Sequence, residues 1–250
     1  MTVRARGPQP SLRLRVARQV IRQTVRRAAR SGIANREMTD MQGRPIRWIG
    51  PEIRACLAAM DAEAVALRRH ARFDELDRFG NRLMVEMAVW TVTADRALRK
   101  CGISPESARQ VVADLGWNIY RRMLSLTSLP VRLATRDPGR RLRWTIRILL
   151  IFPFSAPGSP GYEVQARREG DDLLTHFTCC PPQSFVRRVA EAEGDSDAQE
   201  SFRRSWCTYD WPGADLIARD ASRGHYRRPH TLSHGDSVCD MCWAARALSA

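Results

Sequence analysis

Apolar side chains recur at helical spacing through the N-terminal part of the chain, and in the remainder strand-like alternation appears in short segments with helical spacing between them. Between Ser11 and Arg30, Leu12, Val16, Val20, Ile21 and Val25 gather on one side and arginines on the other, which predicts an amphipathic helix. A second helix is expected over Pro51–Ala71, with its proline in the first turn. A third spans Asp74–Lys100, bent near Gly80, with a stripe of Leu83, Met84, Met87, Ala88, Thr91 and Leu98 and a glycine stop at Cys101-Gly102. Ser104-Pro105-Glu106 has the composition of a helix start and predicts a fourth, to about Ser125. Pro130–Phe154 reads as mixed structure, a turn at Asp137-Pro-Gly139 and then a helix over Leu142–Leu150.

The pattern changes after the proline- and glycine-rich cluster Ser155–Gly161. Tyr162, Val164 and Ala166 alternate with polar residues, Glu169–Asp172 supplies a turn, and Leu173–Cys179 is the partner strand. Helices are predicted over Pro181–Ala192, over Ala198–Trp211 (stopped by Pro212-Gly213) and over Ala214–Arg219. The run Arg227–Trp243 reads as strand, tight turn and strand, with His234-Gly-Asp-Ser237 as the turn. The fold class expected is α+β, a helical N-terminal half packed on a small, mostly antiparallel four-stranded sheet with interspersed helices. The organisation expected is a basic amphipathic or disordered arm over 1–36 and a single domain over 37–250. That domain divides into a helical part, 37–154, and a sheet-containing part, 160–250.

Charge alters this picture mainly at the N-terminus. The formal net charge is +14, yet no acidic residue precedes Glu37 and ten arginines lie in that stretch, which leaves +4 for the rest of the chain. Such an arm suits an anionic membrane surface. No aromatic residue interleaves with its arginines, so no specific nucleic-acid partner is expected. A solvated extension, a transit-peptide-like leader, or a true start at Met38 or Met41 are the other readings. The most apolar run, Trp144–Phe154, contains Arg147 and ends at a proline, so it is too short for a membrane helix. Seven cysteines, an odd number, and no apolar signal core point to a reduced, cytoplasmic protein, peripheral at the membrane if the arm binds there. In that setting cysteines are core fillers, ligands or nucleophiles.

Four segments carry the candidate chemistry: Thr175–Cys180, Trp206–Asp210, His225–Thr231 and the final strand. Strict alternation puts Leu174, His176, Thr178 and Cys180 on one face of their strand and Leu173, Thr175, Phe177 and Cys179 on the face toward the core. Cys207 and Asp210, three apart on one helix, face the same way. Cys239, Met241 and Trp243 point one way, Val238, Asp240 and Cys242 the other. Cys239-Asp-Met-Cys242 spells C-x-x-C, but a strand sends its two thiols to opposite faces, which argues against a redox or zinc motif. A dispersed set, Cys180, Cys207 and Cys239 with Asp210 or a histidine, could instead hold zinc or iron. Otherwise no cofactor is expected.

Thr178-Cys-Cys-Pro181, Cys207-Thr-Tyr-Asp210 and Arg228-Pro-His-Thr-Leu-Ser-His-Gly-Asp-Ser-Val-Cys-Asp240 fall in that order over the C-terminal part. In this the chain resembles the family of L-2-amino-thiazoline-4-carboxylic acid hydrolases, with its strand-ending Cys-Pro, its Cys-x-x-Asp and its closing Arg…Thr…Gly…Cys-Asp. Asp114-Leu-Gly-Trp117 fits the family's helical part more loosely. Met241 stands where the family has phenylalanine, and the basic arm is additional. The resemblance implies a small-molecule substrate and hydrolytic opening of a cyclic amidine, by thiol- or metal-assisted attack at the amidine carbon. That chemistry needs a nucleophile, an acid for the departing thiolate and a carboxylate for the amidinium. Cys239 or Cys207 is the candidate nucleophile, activated by His234 or nearby arginines, with Cys180 as the third thiol. Asp210 or Asp240 would hold the amidinium and Arg228 the substrate carboxylate, beside Thr231. The competing readings are a metal that activates water, inert buried thiols, and a non-catalytic small-ligand or metal sensor with the same pocket.

Overall fold

The structure, a computed structural model, describes residues 11–34 and 36–248. Eight α-helices are seen among them: α1 (Leu12–Ile33), α2 (Gly50–Leu67), α3 (Phe79–Lys100), α4 (Pro105–Ala134), α5 (Pro138–Ile151), α6 (Pro181–Glu193), α7 (Ser196–Arg204) and α8 (Asp210–Ala218). Two short strands, β1 (Met38–Thr39) and β2 (Pro45–Ile46), pair with each other. The remaining four, β3 (Glu163–Glu169), β4 (Asp172–Cys179), β5 (Tyr226–Arg227) and β6 (Cys239–Trp243), form one antiparallel sheet in the order β3-β4-β6-β5. The α+β class and the four-stranded antiparallel sheet are therefore present.

Several helix starts have a local cause. Ser104 caps α4 by accepting the N–H of Ser107 at 3.4 Å, and Asp137 caps α5 by accepting that of Arg140 at 2.6 Å. Asp137-Pro-Gly139, expected to be a separate turn, is thus a helix start, with proline at the position where a missing N–H costs nothing. α4 also runs on to Ala134 through Pro130, past the expected end at Ser125. α3 begins at Phe79 after a short 3₁₀ turn over Phe73–Glu75, so no bent helix continues back to Asp74.

The helix expected over Ala198–Trp211 is broken. α7 ends at Arg204 because the Ser205 hydroxyl turns back onto the carbonyl of Ser201 at 2.7 Å. A 3₁₀ turn, Trp206–Thr208, follows, and Pro212 sits in the first turn of α8 rather than terminating a helix. The C-terminal hairpin also differs from its sequence reading. β5 and β6 are joined by the long connection Arg228–Val238, and the tight turn at Gly235 (φ 96°) closes a 3₁₀ turn within it.

α1 is a docked helix. Leu14, Ile21, Val25, Ala29 and Ile33 are its buried face, whereas Leu12, Val16 and Val20, expected to share that face, are exposed. Its arginines reach the body: Arg18 bonds Glu86 of α3 at 3.0 Å, and Arg22 and Arg26 hold Asp61 of α2. No boundary at 36/37 separates an arm from the body over the described part, since α1 packs on α2, α3 and α4. Residues 1–10 of the expected arm lie outside the described residues.

One core joins α1, α2, α3, α4, α6 and α7 around residues such as Leu57, Val89, Leu98 and Phe185. A second joins α4, α5 and α8 to the sheet through Tyr120, Leu142, Ile217 and Trp243. The sheet turns one face to these helices. β4 buries Leu173, Thr175 and Phe177 as alternation requires, while β3, the edge strand, is exposed over nearly all its length, Ala166 included.

Candidate functional site

The two cores leave a cavity of about 880 Å³, counting the space open at its mouth, between the sheet and the helices. Its apolar wall includes Met84, Leu149, Phe154, Tyr162 and Met241, and its polar wall is Cys180, Cys207, Asp210, Arg228 and Cys239. The polar residues come from four segments far apart in sequence, and the topology explains their meeting. β6 lies between β4 and β5, with Cys239 opposite Phe177 and Met241 opposite Thr175 on the inward face. The 3₁₀ turn and the start of α8 bring Cys207 and Asp210 over that face.

Cys180 arrives by a register change. Val164 pairs with Phe177 but Glu163 pairs with Cys179, so Thr178 is an extra residue on β4 and forms a bulge. A bulge reverses the alternation beyond it. Cys180 therefore shares the inward side with Phe177, contrary to the strict alternation that set it opposite. Cys179 turns outward toward Pro160, with its Sγ 4.0 Å from that carbonyl oxygen. The C-x-x-C pair is split as a strand requires: Cys239 lines the cavity, and Cys242 lies 3.9 Å from Asp172 Oδ2.

The three cavity thiols differ in their surroundings. Burial pushes the Cys180 thiol well up and the Cys207 thiol to about 11, the latter against a hydrogen bond from Ser233 and the charge of Arg228. Cys239 Sγ accepts the backbone N–H of Leu232 at 3.2 Å and lies 3.4 Å from Thr231 Oγ1. Thr231 Oγ1 is in turn 3.1 Å from Ser233 Oγ, so two hydroxyls lie together beside Cys239. Gly235 and Asp236 set this up. The glycine closes the 3₁₀ turn Leu232–His234, and Asp236 Oδ2 accepts the Thr231 N–H at 2.7 Å, which turns Thr231 and Ser233 inward.

The same turn sends His234 outward, where its Nε2 is 2.9 Å from Arg203 Nη1, so it does not line the cavity with Cys239. Asp240 is on the outer face of β6 and bonds His230, at 2.7 Å to both the backbone N and Nδ1. It holds the loop and does not line the cavity.

Asp210 and Arg228 form the charged end of the cavity. Burial pushes the Asp210 carboxyl up, against Arg228 and the hydroxyls of Tyr120 and Tyr226, which donate at 3.2 and 3.3 Å. Arg228 Nη1 is 3.7 Å from Asp210 Oδ2, its Nη2 donates to the carbonyl of Cys207, and its guanidinium lies 4.9 Å above the Trp211 ring. Its Nε is buried and has no hydrogen-bond partner among the described residues, an unsatisfied donor on a side chain that lines the cavity.

Tyr120, Tyr226, Trp211 and Ser233 were not singled out by sequence. Tyr226 could have been found from the sheet, since it pairs with Trp243 on the inward face of β6. Ser233 depends on an irregular turn that alternation does not describe. As for metal, no three His, Cys, Asp or Glu side chains among the described residues lie close enough to share one ion. Cys180, Cys207 and Cys239 are thus not a preassembled ligand set.

No family model, curated protein or solved structure matches this chain. The site offers three thiols, a carboxylate and a guanidinium with a spare donor in a mainly apolar cavity.

Proposed function

We propose that the protein is a hydrolase that opens a small cyclic amidine, of the 2-amino-thiazoline-4-carboxylate type, with Cys239 as nucleophile. The observation that carries this reading is the convergence of Cys239, Cys207, Asp210 and Arg228 on one cavity. Cys239 is favoured over Cys207 and Cys180 because the Leu232 N–H and the Thr231 hydroxyl already contact its sulfur and orient it in the cavity.

Attack by Cys239 Sγ forms a bond to the amidine carbon. The ring carbon–sulfur bond then breaks, and the departing thiolate takes a proton. Cys207, protonated at neutral pH and lining the same cavity as Cys239, supplies it. Asp210 pairs with the amidinium and makes the carbon more electrophilic. The spare Nε of Arg228 takes the substrate carboxylate. The proton that Cys239 loses on attack restores Cys207. Water then attacks the covalent isothiourea and expels Cys239, one of its protons going to the amidine nitrogen and the other to the Cys239 sulfur, which leaves an N-carbamoyl thiol with one water consumed in all. The similarity of the three motifs to the thiazoline hydrolases supports the same reaction class, while the apolar wall favours substrates with an added apolar substituent.

The test is a turnover assay in which thiazoline, oxazoline and hydantoin carboxylates are offered to the purified protein. Loss of ring absorbance with one free thiol released per thiazoline is expected. Thiazolines left intact at high enzyme concentration would remove the proposal.

A further inference from the structure

The outward faces of α4 and α5 carry large apolar side chains that are 39–81% exposed. On α4 these are Leu126, Leu129 and Leu133, and on α5 Trp144, Ile148 and Ile151, with Leu133 81% and Ile151 76% exposed. Their spacing places each triplet on one helix face, opposite the buried residues Leu124 and Val131 of α4 and Leu142 and Leu149 of α5. The two helices are consecutive and pack against each other. Six large apolar residues on one exposed helical hairpin exceed the scattered surface leucines that need no explanation.

Charge identifies the occupant. From Leu115 to Tyr162 the chain has eight arginines and a single acid, Asp137. Arg122, Arg136, Arg140 and Arg147 are exposed among the apolar residues, and none forms an ion pair among the described residues. A second copy docked through the same face would set arginine against arginine, which disfavours a self-complementary contact. A single-stranded nucleic acid would call for aromatic stacking platforms, and five of the six residues are aliphatic. Aliphatic side chains with one tryptophan, interleaved with unpaired arginines, match the acyl boundary and headgroups of an anionic bilayer.

We propose that the α4–α5 hairpin is a docking surface for anionic membranes, lying in the plane of the interface without crossing it. No helix among the described residues is long and apolar enough to span a bilayer. This adds a second membrane contact to the one expected at residues 1–36. α1 also exposes Leu12, Val16 and Val20 beside the exposed Arg13, Arg15, Arg27 and Arg30, while its Arg18, Arg22 and Arg26 are engaged by Glu86 and Asp61, so α1 is the control in the test.

The test is co-sedimentation of the full chain with phosphatidylglycerol–phosphatidylcholine vesicles and with pure phosphatidylcholine vesicles. Binding to the anionic vesicles alone is expected, weakening as salt is raised. The double variant Leu133→Glu/Ile151→Glu should lose at least about tenfold in vesicle affinity, as expected for charge placed in a membrane-facing apolar stripe. Its circular dichroism and melting temperature should stay unchanged, because both sites are exposed. The surface is overturned if that variant binds like the parent, if the parent binds no anionic vesicle, or if only Leu12→Glu/Val16→Glu/Val20→Glu abolishes binding. A concentration-dependent dimer in sedimentation velocity that the double variant abolishes would overturn it in favour of a second copy.

Discussion

Gly116 shows how one hydrogen can organise a site wall. A Cβ built there would come within 2.2 Å of Tyr209 Oη, whose hydroxyl donates to the carbonyl of Ala113 at 2.6 Å. Tyr209 packs with Trp117, Tyr120 and Trp206 at ring-centroid distances of 5.5–5.7 Å, and it directly precedes Asp210. In an exposed helix Gly→Ala stabilises by about 1 kcal/mol, whereas forced overpacking of a buried contact costs roughly 1–3 kcal/mol. Here the second term wins. Gly116→Ala is expected to lower stability in urea unfolding, and a gain would mean that Tyr209 does not lie on this helix face. Residue-scale detail was only partly legible in the sequence. Alternation correctly separates Cys239 from Cys242 and Asp240, since β6 is regular. It fails for Cys180, because the extra residue Thr178 reverses the parity and nothing in Thr178-Cys-Cys announces a bulge.

Helices were legible at the level of existence and less so at their ends. The apolar spacing of α2, α3, α4 and α6 is strong enough to show where they lie. The break in α7 arises from a serine hydroxyl competing for backbone carbonyls, a contact whose outcome depends on tertiary packing. α1 is the case in which two readings stood open, a basic amphipathic helix or a disordered arm: it is a docked helix, whose arginines find the buried Glu86 and the half-buried Asp61 on two other helices. A similar ionic tie holds α3 to α6 and α7. Burial works to raise Glu193, but Arg96, Arg69 and His70 hold its carboxyl down at about 2. Asp195, bonded by Arg96 and Arg99, also lies below its ordinary value. A carboxylate whose pKa is lowered by folding stabilises the folded state above its unfolded value, roughly 4.3 for Glu. That stability is lost as pH falls toward about 2. The urea midpoint should therefore drop between about pH 5 and about pH 2, and Glu193→Gln should flatten the slope. An unchanged slope in Glu193→Gln would show that this tie contributes nothing.

The whole molecule is a helical layer and a small sheet with a cavity at their junction, and both the α+β class and the meeting of distant segments could be anticipated from pattern. The placement of the Leu232 N–H and the Thr231 hydroxyl at Cys239 Sγ could not, because it is built on an irregular 3₁₀ turn whose geometry follows from Gly235 and Asp236. Those two contacts set Cys239 apart from the two other cavity thiols, so the central claim is that Cys239 performs the chemistry. The direct measurement is kcat/KM for thiazoline ring opening by the parent protein and by Cys239→Ser and Cys180→Ser. A nucleophile's removal costs far more than that of a wall residue, so Cys239→Ser should lose about 10³-fold or more while Cys180→Ser loses less than about tenfold. Parent-like turnover in Cys239→Ser would contradict the account.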